Sequence, residues 1–205
     1  MTPDYWQRAA VDLAVGDERM AELVERYAGF ALVSRGDPFG TLARSIVGQQ
    51  ISVKAADAVW QRLCAVLAAV SPAAVLATGE AGLAACGLSR RKSEYVRDLA
   101  AHFAAGRLDP AAWDALDDEA LIALLSDVRG IGRWTAEMFL IFNQLRPDVF
   151  PLDDLGLQRA VCMRYFAGEK QPRRELAAFG ERWRPWRSVA TWFLWRSLDP
   201  LPVEY

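Results

Sequence analysis

The sequence predicts an all-α fold, and three observations support this prediction. Apolar residues recur at spacings of three and four through most of the 205 residues, as they do on one face of an α-helix. The alternation of apolar and polar residues that marks a half-buried strand is scarce. Breaks rich in Gly, Pro or Asp separate the periodic stretches, at RGDP, VSPA, RLDP and RPDVFP.

The clearest predicted helix is the stretch SVKAADAVWQRLCAVL, in which Ser52 is well placed as the N-cap. Its apolar residues fall on one stripe, consisting of Val53, Ala56, Trp60, Leu63 and Leu67. The same periodicity predicts further helices over residues 4–14, 17–27, 39–48, 89–105, 117–127, 133–144, 154–166, 173–181 and 186–197. No repeat or flexible linker interrupts them, so we expect residues 1–205 to form one compact domain with two helical lobes.

The composition excludes several classes of protein. A hydrophobic share of 53% with 24% charged residues is typical of a soluble globular protein, and the apolar run CAVLAAVSPAAVLA is too short and interrupted to span a bilayer. The N-terminus has no basic segment followed by an apolar core, so we expect an intracellular protein. The net charge of −2 argues against coating nucleic acid by bulk charge, and any such binding must be local.

Cysteine and histidine are too few for several kinds of site. Cys64, Cys86 and Cys162 are widely spaced in apolar helical patterns and are predicted to be reduced core residues. His102 is the single histidine, and we interpret it as a surface or packing residue. Zinc sites and Ser-His or Cys-His catalysis therefore have almost no residues to use.

Gly130 and Gly132 flank one apolar residue between two helical stretches, LIALLSDV and RWTAEMFLIF. Two glycines let the backbone approach a ligand closely, and the N–H groups that begin the second helix favour an anion such as a DNA phosphate. A tight interhelical turn without a ligand explains the pattern equally well. A dinucleotide fingerprint does not, because the third glycine and a preceding strand are missing.

Asp153 and Asp154 precede the helical pattern LGLQRAVCMRYF, so one of them could simply cap that helix. Alternatively, a carboxylate stabilised as the anion at a helix N-terminus could oppose a developing cation. Aromatic residues offer a third element, because Trp134 directly follows the glycine turn and could stack on an extruded base. Of the eight tryptophans, we expect Trp60 and Trp192 to lie in the core.

These strings together resemble a known family. VRGIGRWTA resembles the helix-hairpin-helix of base-excision DNA glycosylases. The carboxylate after a Pro-containing loop resembles the aspartate from which the HhH-GPD superfamily takes the last letter of its name. DPFGTLARSIVGQQIS, GLSRRKSEYVRDLA, FPLDDLGLQRAV and WRPWRS are similar to segments of the 3-methyladenine DNA glycosylase II family. The resemblance covers about residues 3 to 200.

The resemblance implies a helix-hairpin-helix glycosylase fold with the active-site cleft between two helical lobes. It implies hydrolysis of the N-glycosidic bond of alkylated bases in double-stranded DNA by a monomer, with Asp154 as the catalytic residue. Base-pocket residues would be Trp134, Trp195 and Met138. DNA-binding residues would be Gly130, Ile131, Gly132, Arg133, Thr135, Gln49, Gln50, Ser52, Lys54 and Lys92, with Gln49 and Gln50 in the loop that fills the gap left by the flipped nucleotide.

Departures from related families refine these expectations. Trp134 stands where bifunctional glycosylases carry a lysine nucleophile, so no strand-nicking activity is expected. The last cysteine is Cys162, so the C-terminal four-cysteine iron–sulfur motif cannot form. No metal is expected on side chains, although backbone carbonyls of Val128 and Gly130 could hold a cation. The 205 residues leave no room for the extra N-terminal domain of the best-known bacterial enzyme, so we expect a minimal version of the fold. Two alternatives stay open: a non-catalytic DNA-binding protein, and a glycosylase for a neutral base such as hypoxanthine.

Overall fold

Eleven α-helices and two short 3-10 helices form residues 2–198, the part of the chain that the computed structural model describes. The α-helices are α1 (Trp6–Ala14), α2 (Glu18–Arg26), α3 (Pro38–Gly48), α4 (Val53–Leu67), α5 (Pro72–Ala85), α6 (Arg90–Ala104), α7 (Asp118–Ser126), α8 (Arg133–Phe142), α9 (Leu155–Tyr165), α10 (Arg173–Gly180) and α11 (Arg187–Leu198). The 3-10 helices are Pro110–Ala115 and Glu181–Trp183. Within residues 2–198 no β-strand occurs, and the all-α prediction is confirmed.

Helix α5 was missed in the prediction, which took Ser71 and Pro72 as a break. The Ser71 side chain instead accepts a hydrogen bond from the Ala74 N–H, and Pro72 occupies the first helical position. The helix is kinked at Gly79, whose φ of 69° is not helical. A chain rich in small residues with a kink in its middle has no continuous apolar stripe, so periodicity could not reveal it.

The apolar stripe of α4 also differs from the prediction. The buried residues are Val59, Leu63 and Leu67, spaced by four, whereas Val53 is 53% exposed at the first position of the helix. Trp60 was expected in the core, but it is only half-buried. The predicted N-cap is confirmed, because the Ser52 side chain accepts a hydrogen bond from the Ala55 N–H. Burial at the end of a helix depends on neighbours that the stripe itself does not specify.

The chain divides into two compact units. The terminal unit comprises the described residues of Met1–Ser34 and Leu140–Glu204, and the central unit is Arg35–Phe139. The terminal unit is therefore built from the two ends of the chain.

Helix α11 forms the core of the terminal unit. Every residue from Ser188 to Leu194 is buried, and α11 packs against α1, α2 and α9. The Trp192 and Phe193 rings lie 5.1 Å and 5.6 Å from the Trp6 ring of α1, so the predicted burial of Trp192 is confirmed. Because α9 packs on this buried helix, the start of α9 is held on a well-packed support.

The central unit is organised around α6, which packs against α3 and α5. A row of edge-to-face aromatic rings runs through this unit, with centroid separations of 5.3, 6.2 and 5.5 Å between Phe39, Phe103, Trp113 and Phe139 in that order. Such pairs add to the stabilisation from burial alone. Phe139 lies on α8, so this row fixes α8 to the rest of the central unit.

Among residues 2–198, no single helix is long and apolar enough to cross a bilayer, and only the pair α4 and α5, bent by 107°, passes that test jointly. Cys64, Cys86 and Cys162 are free thiols, of which Cys64 is half-buried and the other two are buried.

Candidate functional site

Asp154 is the N-cap of α9. Its backbone is extended (φ −77°, ψ 114°), and its Oδ1 atom accepts a hydrogen bond of 2.6 Å from the Leu157 N–H. A carboxylate is favoured there because the first N–H groups of a helix lack intrahelical acceptors and the helix dipole attracts negative charge. Of the two adjacent carboxylates, the one that caps the helix is therefore Asp154.

Asp153 has different surroundings although it is the next residue. Its side chain is 53% exposed, and its Oδ1 atom lies 3.0 Å from Nε of Arg173 in a surface ion pair. Exposed pairs of this kind contribute little to stability. The structure thus separates the two carboxylates into a surface pair and a helix cap.

A second donor reaches the Asp154 carboxylate from α11. The indole Nε1 of Trp195 donates a hydrogen bond of 2.8 Å to Oδ1 of Asp154, and the Trp195 ring stacks on Phe142 at 5.7 Å with planes 11° apart. A Cβ on Gly156 would lie 3.1 Å from that oxygen and 3.5 Å from the indole nitrogen. Capping alone requires only the backbone donor, so the indole is an additional constraint on the orientation of the carboxylate.

Trp134 and Met138, the other two predicted base-pocket residues, lie one turn apart on α8. Side chains four residues apart share one face of a helix. Trp134 is 41% exposed, which is high for a tryptophan, and Met138 is half-buried. Both belong to the central unit, whereas Trp195 belongs to the terminal unit.

The glycine turn joins α7 to α8, as predicted. Ile131 is buried and its N–H donates to the Val128 carbonyl at 3.0 Å, which closes the turn. Gly132 is exposed, and a Cβ there would meet nothing within 4 Å. The turn therefore offers an open backbone surface at the start of α8, where the helix dipole favours an anion. Ile131 and Thr135 have buried side chains, so only their backbone groups are available for the predicted contact with DNA.

Gly130 is required for two independent reasons. Its φ is 89°, in the left-handed region that side chains disfavour, and a Cβ there would overlap the ring of Tyr95 on α6. One turn along α6, Oδ2 of Asp98 accepts a hydrogen bond of 2.9 Å from the Arg129 N–H. Helix α6 thus holds the turn through the Tyr95 ring and through the Asp98 side chain, which accepts a hydrogen bond from the backbone of the turn.

Arg133, predicted to bind DNA, is engaged within the protein. Its guanidinium donates to both carboxylate oxygens of Glu119 on α7, at 2.5 and 2.8 Å, and its Nε donates to the buried Glu137 at 3.0 Å. The hydrogen bonds from Arg133 lower the pKa of Glu119, and they raise the pKa of Arg133 itself. Arg133 therefore clamps the two helices of the hairpin and neutralises carboxylates beside the open turn.

Substitution of Arg133 by Gln should weaken binding to duplex DNA about two- to fivefold, because the Glu119 carboxylate then loses its guanidinium partner near the turn. Adding Glu119→Gln to the same chain should restore much of the lost affinity. Titration of each variant against a fluorescent duplex measures both effects. If Arg133 instead contacts a phosphate directly, removal of the Glu119 charge will not restore binding.

The loop between α3 and α4 contains Gln49 and Gln50, and the two amides differ in environment. Nε2 of Gln49 donates a hydrogen bond of 2.8 Å to the Gly130 carbonyl of the glycine turn. Gln50 is exposed at the tip of the loop with a φ of 58°. Ser52 follows as the cap of α4, and Lys54 is exposed in its first turn.

The side chain of Lys92, also predicted to bind DNA, forms a hydrogen bond within the protein. Its Nζ donates a hydrogen bond of 2.7 Å to the Val47 carbonyl in the last turn of α3. Burial lowers the pKa of Lys92. The ammonium thus satisfies a helix C-terminus directly before the loop of Gln49 and Gln50.

Backbone carbonyls are the candidate cation ligands of the turn. The Val128 carbonyl accepts the Ile131 N–H, and the Gly130 carbonyl accepts the Gln49 amide. Each carbonyl oxygen has a second lone pair, so both are compatible with a cation. Within residues 2–198, no group of three or more His, Cys, Asp or Glu side chains is arranged to hold a metal.

Several residues of the site were not identified from the sequence. Gly156 leaves room for the Asp154 carboxylate, Tyr95 and Asp98 hold the glycine turn, and Glu119 pairs with Arg133. Only Gly156 carried a local signal, because a glycine in the first turn of a helix is costly unless another group must approach closely.

Several known proteins are similar to this chain over most of its length. A family model described as HhH-GPD superfamily base excision DNA repair protein matches residues 43–185. DNA-3-methyladenine glycosylase 1 of Schizosaccharomyces pombe is 30% identical over 198 residues, covering 93% of this chain and 86% of the relative. The crystal structure of DNA-3-methyladenine glycosidase from Bacillus halodurans matches with a TM-score of 0.86 and 33% identity, covering 97% of this chain and 92% of its own. The Schizosaccharomyces pombe 3-methyladenine DNA glycosylase in complex with abasic DNA matches with a TM-score of 0.79 and 28% identity, covering 97% and 99%.

Proposed function

Because the chain belongs to the HhH-GPD superfamily of base excision DNA repair proteins, we propose that it is a DNA glycosylase of the 3-methyladenine glycosylase II type. It would hydrolyse the N-glycosidic bond of alkylated bases in double-stranded DNA. The observation that carries the proposal is the Asp154 carboxylate, held by both the Leu157 N–H and the Trp195 indole. The names of the similar proteins support the choice of alkylated bases as substrates.

The glycine turn is the proposed grip on the DNA backbone. The open backbone at Gly130 and Gly132 would bind a phosphate while the damaged nucleotide swings out of the duplex. A cation held by the Val128 and Gly130 carbonyls would add positive charge beside that phosphate. Stacking on the exposed Trp134, with Met138 as an adaptable apolar neighbour on α8, would hold the base, and a cationic alkylated base gains cation–π attraction as well.

Asp154 is the proposed catalytic residue. Its negative charge would stabilise the oxocarbenium character of the deoxyribose as the bond to the base breaks, or orient the attacking water. Alkylation makes the base a cationic leaving group, so no general acid is needed. The Trp195 donor restricts the carboxylate to one orientation, and this preorganisation supports a role beyond capping α9.

A panel of duplexes, each with one modified base, tests the proposed substrate class. We expect release of 3-methyladenine and related alkylated bases, and no release of uracil or hypoxanthine. Efficient release of a neutral base would favour the neutral-base alternative. Binding of abasic duplex without release of any base would favour a non-catalytic protein in which Asp154 serves only as a cap.

Gln50 is the proposed plug for the gap left by the flipped nucleotide. Its exposed position at a loop tip with a left-handed backbone supports this choice over Gln49, whose amide is bonded to the glycine turn. An amide can hydrogen-bond the orphaned base.

We propose hydrolysis without strand cleavage, because Trp134 stands at the lysine position of bifunctional enzymes and offers no amine for a Schiff base. Incubation with borohydride and a damaged duplex should therefore yield no covalent protein–DNA adduct, as judged by gel electrophoresis. A bifunctional glycosylase run in parallel is the positive control. A trapped adduct of this chain would contradict the proposal.

The remaining parts of the proposal follow from the substrate. An enzyme that acts on chromosomal DNA would be found in the cytoplasm and nucleoid, or in a nucleus. We propose that it works as a monomer and without an iron–sulfur cluster, because flipping, stacking and charge stabilisation need only the residues named above.

A further inference from the structure

The loop of the proposed plug is tied to the glycine turn by Gln49. The hydrogen bond from Nε2 of Gln49 to the Gly130 carbonyl joins residues that are 81 positions apart in the sequence. Gln49 is the C-cap residue directly after α3 and has an extended ψ of 130°, and Gln50 follows with a left-handed φ of 58°. Gln49, whose side chain fixes the loop, is thus the residue directly before the exposed Gln50.

Helix α6 provides a second connection between the same two elements. Lys92, Tyr95 and Asp98 follow one another at three-residue spacing, so each lies beside the next on the surface of α6. Lys92 binds the Val47 carbonyl just before the loop, while Tyr95 and Asp98 hold the glycine turn. All of these residues belong to the central unit.

We propose that Gln49 is a positioning residue that couples the proposed plug to the proposed phosphate grip, an inference that rests on the proposed function. Gln49 acts through Gln50 and does not contact DNA itself. When the glycine turn binds its phosphate, the Gln49 amide holds the loop so that Gln50 meets the base stack in the correct register. Capture of the phosphate and insertion of the plug then occur as one event.

A double-mutant cycle tests this coupling. Gln49→Ala and Gln50→Ala are made singly and together, and dissociation constants are measured for a duplex with an abasic-site analogue and for an intact duplex. Each single variant should weaken binding of the abasic duplex about three- to tenfold. The double variant should bind no more weakly than Gln50→Ala alone, because the anchor has no effect once the plug is absent. Binding of intact duplex should change little.

Two further variants separate positioning from loss of structure. Gln49→Glu keeps the shape of the side chain but cannot donate to the Gly130 carbonyl, so its effect should equal or exceed that of Gln49→Ala. Gln61→Ala, an exposed glutamine on α4 in the same unit, is the matched control and should bind both duplexes like the wild type. Melting temperatures of all variants show whether the fold is retained.

Other outcomes would overturn the proposal. If the two single effects multiply in the double variant, Gln49 acts independently of Gln50. If Gln49→Ala weakens the intact and abasic duplexes equally, Gln49 serves only the hairpin. The binding cycle does not depend on catalysis, so a wild type that binds abasic duplex but releases no alkylated base would contradict the proposed function and still report on the coupling.

Discussion

Substitution of Asp154 by Asn should lower the rate of 3-methyladenine release by at least about a hundredfold while leaving the fold intact. Asparagine is as good an N-cap as aspartate, and its amide oxygen can accept from the Leu157 N–H and the Trp195 indole. The negative charge is lost, and the second carboxylate oxygen is replaced by an NH2 group, while these two hydrogen bonds are kept. Binding to an abasic-site analogue should therefore be retained, because that ligand requires no developing cation.

Single-turnover release from a methylated duplex, together with thermal melting, measures this effect. Asp153→Asn is the matched control, because it removes the neighbouring carboxylate from a surface pair with Arg173. That variant should release the base at the wild-type rate. Undiminished release by Asp154→Asn would rule out the catalytic assignment.

Replacing each glycine of the turn by alanine should affect different properties: protein stability at Gly130 and DNA binding at Gly132. At Gly130 the added methyl group meets the Tyr95 ring and the backbone has a φ of 89°, so we expect a loss of about 1–3 kcal/mol in the free energy of unfolding. At Gly132 the methyl group projects into open space and the backbone is not left-handed, so stability should change by less than about 1 kcal/mol.

Gly132→Ala should weaken DNA binding strongly although it changes stability little. The methyl group of Gly132→Ala would occupy the surface that a phosphate must approach, and we expect at least about tenfold weaker binding of abasic duplex by a chain of normal stability. Urea denaturation and fluorescence titration separate the two quantities. Equal losses of stability for both variants, or normal DNA binding by Gly132→Ala, would contradict the proposed phosphate grip.

Local signals explain how much of the fold could be predicted. Ser52 and Asp154 are caps that act within three residues, and both were identifiable from the sequence. Helix α5 begins with equally clear signals at Ser71 and Pro72, which were interpreted as a break because no apolar stripe followed. A helix of small residues is stabilised by packing against its neighbours, and that information is not local.

The site was predictable only to the extent that it is built from neighbouring residues. Gly130 and Gly132 carry their own conformational signal. The partners of Arg133 and Gln49 do not, because Glu119 lies 14 residues away and Gly130 lies 81 residues away. Charged and amide side chains near a binding turn look like ligand contacts in a sequence, and only the fold reveals that these two bind the protein.

Because Asp154 caps α9, few other amino acids can be tolerated at this position during evolution. Glutamate would retain the charge, but its longer side chain is not among the favoured N-caps, and asparagine would retain the cap without the charge. Serine and threonine likewise supply only the acceptor. Of the twenty amino acids, aspartate alone combines a short acceptor with a negative charge, so selection for a folded α9 and selection for an active enzyme fall on the same residue.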